Sequence, residues 1–316
     1  MSGAQLDVVS SEINELFLPG VPLERLHSGC LWAEGPVYFP AGDYLLWSDI
    51  PNNRMYQWVG DLGVRVLLYD SNYSNGNTRD PQGRLVTCEH LTRSVVRREP
   101  DGQRVVLASA YRGKPLNSPN DVIVASDGAV WFTDPPYGIL TDYEGRRATP
   151  EQEGCFVYRV DPATGVVEVA VDSLIKPNGL AFSLDESVLY VADSSRTHDP
   201  RGHHHLFAFD VDPSWRLSNK RVFAEIELGV PDGLRLDEFG NLWCSSGRGV
   251  EIFTPAGKHL GCVRVPETVA NLTFGGPKRN RLFIAATTSV YALYVAVRGA
   301  EAAQPASPKR SGAALR

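Results

Sequence analysis

Short apolar runs recur along the whole chain, four to seven residues long and rich in β-branched and aromatic side chains. The clearest are DYLLWSD, GRLVTCE, GAVWFTD, SVLYVAD, NLWCSS and RLFIAAT. Turn dipeptides such as Asp101-Gly102, Asp127-Gly128 and Gly240-Asn241 punctuate them. Helical periodicity is nearly absent, apart from a turn or two near Ser10–Phe17. Many short strands separated by turn signals predict an all-β chain.

The central residues of the six runs are Trp47, Val86, Trp131, Tyr190, Trp243 and Phe283, spaced 39 to 59 residues apart. Each run is preceded, at an offset of 11 to 13 residues, by one polar residue: Glu34, Asn75, Asn120, Asn178, Asp232 and Asn271. The long period drifts through insertions while the short offset holds. A repeat of this length made of short strands predicts propeller blades of four antiparallel strands. Six repeats predict a six-bladed β-propeller around a central metal-binding channel. A second strand pair is visible in CFVYRVD with VVEVAVD, and in HLFAFDVD with RVFAEIEL. The expected organisation is an N-terminal segment over 1–19, the propeller over 20–297 and a disordered tail over 298–316.

In such a blade the innermost strand lines the channel, and the polar residue stands at its mouth. The loop between the second and third strands opens on the same face. Two of those loops are long, PPYGILTDYEGRRATPEQE after Asp134 and SSRTHDPRGHH after Asp193, and are expected to wall a pocket. A single Asn-Gly or Asp-Gly is ordinarily a structural turn. Six in matched register, one of them Glu34-Gly35, point instead to a shared site.

Around one axis Glu34, Asn120, Asn178 and Asp232 supply two carboxylates and two amide carbonyls. This all-oxygen set suits a hard divalent cation, Ca²⁺ first, with Mn²⁺, Mg²⁺ or Zn²⁺ as alternatives. Asn75 and Asn271 complete the ring as supporting members.

Composition limits the partners. Net charge is −6 over 316 residues with no long basic run, which argues against nucleic acid or an anionic membrane. The first residues lack a signal-peptide pattern, and no run approaches the roughly 18 apolar residues of a membrane span. Five widely spaced cysteines without a C-x-x-C read as free thiols in a reducing, cytoplasmic setting. The expected state is a monomer or small homo-oligomer.

Five motifs carry a resemblance: WAEGPVYF at 32–39, LNSPNDVIVASDGAVWFTDPPYG at 116–138, KPNGLAFSLDESVLYVAD at 176–193, PDGLRLDEFGNLW at 231–243 and PETVANLTFGG at 266–276. Together they resemble the gluconolactonase/regucalcin (senescence marker protein) family of six-bladed propellers over roughly residues 20–295. The resemblance implies a divalent metal held by Glu34, Asn178 and Asp232, with Asn120 as fourth ligand or substrate contact. It implies hydrolysis of a small-molecule sugar lactone, with Asp232 as general base. The related diisopropyl-fluorophosphatases share the architecture, so a phosphotriesterase is the rival enzyme and a non-catalytic calcium-binding propeller the rival binder. Animal members carry a substrate-binding Arg two residues before the position of Asn120. Ser118 stands there in this chain, so its sugar contacts differ.

Further expected substrate contacts are His90 after the second run, Tyr137 in DPPYG, Asp134 at the end of the third run, and Ser118. His203 joins them as a pocket-lining member of the His203–His205 triplet. The triplet resembles a metal tract, but three residues in a row entering a strand alternate faces.

Overall fold

A computed structural model describes residues 4–300. Six antiparallel sheets stand in a ring. The first blade comprises Ala33–Phe39, Tyr44–Asp49, Arg54–Val59 and Gly63–Leu68, from the axis outward. The inner strands of the next four blades are Ser74–Arg79, Val122–Val124, Pro177–Phe182 and Leu234–Leu236. That of the sixth, Val269–Gly275, packs against Ala33–Phe39 and closes the circle.

The apolar runs are the second strands, and the core is divided accordingly into six clusters, one between each pair of adjacent blades. Trp131 fills the space between blades three and four, Tyr190 that between four and five, and Trp243 that between five and six. Trp47 breaks this sequence. It packs back against Phe283 of blade six, while Leu46, one residue earlier, faces blade two. Successive strand residues face opposite sides of a blade, so the neighbours Leu46 and Trp47 pack against different blades.

The ring is sealed by the N-terminus. Glu24–Ser28 is the outer strand of blade six, paired with Ser289–Tyr294. Leu6–Val8 adds a fifth strand to blade five against His259–Arg264. Between them the 3-10 turn Ser11–Leu16 buries Ile13 and Leu16 beside Trp243. Of the expected N-terminal segment over 1–19, residues from 4 onward pack against blades five and six. Of the expected tail, Arg298–Ala300 run back along blade five, where the Ala300 amide donates to the Leu236 carbonyl. Residues 301–316, and with them the expected disorder, lie outside the described residues.

Among the described residues α-helix is confined to the single turn Tyr137–Leu140, and no helix is long and apolar enough to cross a membrane. All five cysteines are unpaired, four of them buried.

Candidate active site

Glu34, Asn120, Asn178 and Asp232 line one cavity of ≈ 250 Å³. Asn75 lines it with them. Asn271 does not; its Nδ2 donates to Glu34 Oε2 at 3.1 Å and fixes that carboxylate. In four blades the strand register breaks at the leading residue: between Glu34 and Val37, Ser74 and Asn77, Pro177 and Leu180, and Val269 and Asn271. A bulge there frees one residue from the ladder and re-aims its side chain.

The glycine that follows serves close approach rather than a turn. A Cβ at Gly179 would lie 2.0 Å from the Asp232 carbonyl oxygen of the next blade. At Gly35, with φ +53°, it would lie 2.1 Å from the Asn75 carbonyl oxygen. The inner strands touch backbone to backbone, which holds the leading residues close to the axis.

A second device sets their height. Asp49, Asp134 and Asp193 end the second strands of their blades and are fully buried. Asp49 Oδ1 accepts from the Leu31 and Trp32 amides at 3.0 and 3.2 Å, just before Glu34. Asp134 Oδ2 accepts from the Asn117 amide at 2.7 Å, just before Asn120. Asp193 accepts from the Ile175 and Lys176 amides at 2.9 and 3.2 Å, just before Asn178. In blade five Ser245 Oγ replaces the carboxylate and accepts from the Asp232 amide itself at 3.0 Å.

The electrostatics are one-sided. Burial pushes the Glu34 carboxyl up to about 8, with Asp121 adding repulsion. Asp232 is raised well above the ordinary carboxylate range, first by burial and then by Glu34, Asp121 and Glu144. Asp121 is itself raised by burial, with the Arg235 guanidinium 3.8 Å away as a partial counter-charge. Asn178 Oδ1 is buried with no hydrogen-bond partner. Clustered carboxylates and an orphaned amide oxygen form a donor set that fits a hard divalent ion.

The two long loops roof the cavity. The first contributes Tyr137, Leu140, Thr141, Tyr143 and Glu144, and the second Thr197 and His198. The Tyr137 ring lies 5.8 Å from that of His198, and Lys176 Nζ sits 2.9 Å from His198 Nδ1. The Tyr137 hydroxyl is held neutral by burial and by the nearby Asp232.

The other expected contacts lie outside this cavity. His90 is buried behind it, with Nδ1 2.8 Å from the Glu144 carbonyl oxygen and Nε2 3.2 Å from Asn75 Nδ2. A carbonyl only accepts, so Nδ1 carries the proton and Nε2 accepts from Asn75. Burial lowers the imidazole to about 4, which keeps it neutral. His90 thus braces the first loop against the ring instead of meeting the rim. Ser118 Oγ donates to the Pro135 carbonyl at 2.6 Å and accepts from the Gly138 amide at 3.0 Å, holding the turn that carries Tyr137. Asp134 is the amide clamp described above. His203 Nδ1 is spent on Asp193 Oδ2 at 3.0 Å.

Two carboxylates near the axis escape the repeat reading. Asp121 carried a signal, since four other blades place Gly at that position: Gly35, Gly76, Gly179 and Gly233. Glu144 carried none, because its arrival over the cavity depends on how the first loop folds back, with the Arg146 amide on the Gly138 carbonyl.

With this geometry in place, comparison with known proteins is specific. The family model for the SMP-30/Gluconolactonase/LRE-like region matches residues 32–288. The chain is 33% identical over 305 residues to a gluconolactonase of Zymomonas mobilis, covering 89% of this chain and 83% of that protein. It is 27% identical to pentonolactonase XacC of Haloferax volcanii, covering 81% and 82%. Among solved structures, a gluconolactonase of Xanthomonas campestris superimposes with a TM-score of 0.85 at 38% identity, covering 93% of this chain and 97% of that one. A family match over most of the chain, carried on six blades whose inner strands meet at one polar cavity, places this protein in the SMP-30/gluconolactonase/LRE-like family.

Proposed function

We propose that this protein is a divalent-cation-dependent lactonase that opens a sugar lactone, such as glucono-1,5-lactone, to its aldonic acid. The observation that carries the reading is the convergence of Glu34, Asn120, Asn178 and Asp232 on one cavity in a fold shared with gluconolactonases. Glu34, Asn178 and Asp232 would hold the ion, with Asn120 as fourth ligand or substrate contact and Ca²⁺ as the best match to the donors. Such an ion, when bound, supplies Lewis-acid polarisation of a carbonyl oxygen.

The remaining work falls to the side chains. Asp232 takes a proton from water as the water oxygen bonds to the lactone carbonyl carbon. The bond from that carbon to the ring oxygen then breaks, and the proton passes to the departing oxygen. For this Asp232 must keep one carboxylate oxygen free to accept. Tyr137, neutral and over the cavity, donates to the substrate. Trp32 and Ile50, which also line the cavity, offer apolar contact to the carbon skeleton. The two loops exclude bulk water.

The experiment uses protein stripped of metal and reconstituted ion by ion. Proton release is followed with five- and six-membered sugar lactones and with a fluorophosphate. Cation-dependent turnover of a sugar lactone is expected. Turnover indifferent to chelation would refute metal dependence, and a fluorophosphate far outpacing every lactone would make the protein a phosphotriesterase.

A further inference from the structure

Away from the axis, the histidine triplet does not distribute itself as strand alternation requires. Among the described residues one group of three His, Cys, Asp or Glu side chains brings its ligand atoms within 4.8 Å of one another: His204, His205 and Glu225. Only His205 lies in the strand His205–Val211; His204 precedes it, so its ring is free of the alternation. His204 Nε2 stands 2.8 Å from Glu225 Oε1, and His205 Nε2 4.0 Å from Oε2. The two imidazoles thus share the two oxygens of one carboxylate.

The His204 tautomer is informative. Its Nδ1 lies 2.5 Å from the Ile226 carbonyl oxygen, and that carbonyl can only accept, so Nδ1 carries a proton. A neutral His204 then presents a bare Nε2 lone pair to the Glu225 carboxylate, acceptor against acceptor. A proton or a cation must lie between them. The Nδ1–H bond to a backbone carbonyl is also how a metal-ligating histidine is usually oriented. His204 is buried, while the Glu225 side chain is 58% exposed, so one side stays open to water ligands and to entry of an ion.

We propose that His204, His205 and Glu225 form a second metal site, separate from the axial one, that takes a zinc-class transition ion. Two imidazoles and one carboxylate with open positions suit Zn²⁺ rather than Ca²⁺. The site stands at the root of the second roof loop, where the His203 amide donates to Ser195 Oγ at 2.6 Å and the Arg196 amide to the His203 carbonyl at 2.9 Å. An ion there fixes the base of the segment that carries Thr197 and His198.

The test is calorimetric titration of ZnCl₂ into the metal-stripped full chain, compared with His205→Ala, Glu225→Gln and His203→Ala. The wild type is expected to take up one Zn²⁺ more than His205→Ala or Glu225→Gln. Affinity at that site should fall by more than about 100-fold, beyond the roughly 10–100-fold that loss of a supporting contact costs. His203→Ala should keep the extra ion. Zinc should also shift the His204 ring signals in the NMR spectrum and raise the thermal midpoint of the wild type more than that of Glu225→Gln. Equal stoichiometry in wild type and both ligand variants would overturn the proposal. So would His204 ring signals that report a plain imidazolium paired with Glu225 and do not move with zinc. Glu225 is largely exposed, so Glu225→Gln keeps the test independent of any folding defect at the histidines.

Discussion

At the scale of single residues, position around the axis separates chemistry from support. Asp232 is the side chain to which the proposed reaction assigns the proton. Asp232→Asn is expected to lower kcat by roughly 10²–10⁴-fold, the usual contribution of a general base. The variant must still bind its cation, measured directly by titration; a full rate with the ion bound would remove Asp232 from that role. Asp134 separates two readings of one acid. As a substrate contact its loss would raise KM and leave stability alone. As the clamp on the Asn117 amide its loss strands a buried donor, so Asp134→Ala should cost about 1–3 kcal/mol in urea unfolding and reduce kcat/KM through Asn120. The clamp role was legible in the chain: an aspartate closes the same strand at Asp49, Asp134 and Asp193, and a substrate contact has no reason to repeat. The donors to Asp134 could not be read that way, because they lie 17 residues away across a sheet.

At the scale of elements, the strands followed from the spacing of apolar runs, and the residues at their mouths from the offset to those runs. The bulges did not. A bulge is a mismatch between two strands, so neither strand's sequence contains it, although it aims Asn178 and Glu34 at the axis. The roof loops were legible as long insertions over the mouth. Their inner architecture was not, since it depends on His90 from another blade bracing the Glu144 carbonyl and on Gly138 packing against the His90 ring. The inner-strand glycines give the prediction proper to this scale. Gly179→Ala would drive a methyl into the Asp232 backbone, where no flexible side chain can yield. It should destabilise by at least the 1–3 kcal/mol typical of overpacking and displace Asp232 from the cavity. Gly165→Ala, at an open turn with positive φ, serves as the comparison for backbone strain without a clash. Equal losses at the two sites in denaturant unfolding would refute close approach as the reason for Gly179.

For the whole molecule, the ring closes on an internal concentration of negative charge, and this couples the fold to its cation. Glu34 has an ordinary pKa of 4.5 and is pushed up to about 8 in the folded chain, while Asp232 is raised in the same direction. Between those values the folded, cation-free protein holds protons that the unfolded chain has released. Stability must therefore fall as pH rises from about 4.5 towards 8, by a total on the order of a few kcal/mol, and level off above. A bound divalent ion reverses the preference, because it favours both carboxylates in their charged form and adds binding energy to the folded state alone. The thermal midpoint of metal-stripped protein is thus expected to drop between pH 5 and pH 8, whereas that of Ca²⁺-loaded protein should hold or rise. Glu34→Gln should flatten the metal-free curve, since it removes the group with the long titration interval while preserving the oxygen that faces the axis. Parallel pH profiles with and without the ion would mean that the carboxylates at the centre of the ring are not what the cation neutralises.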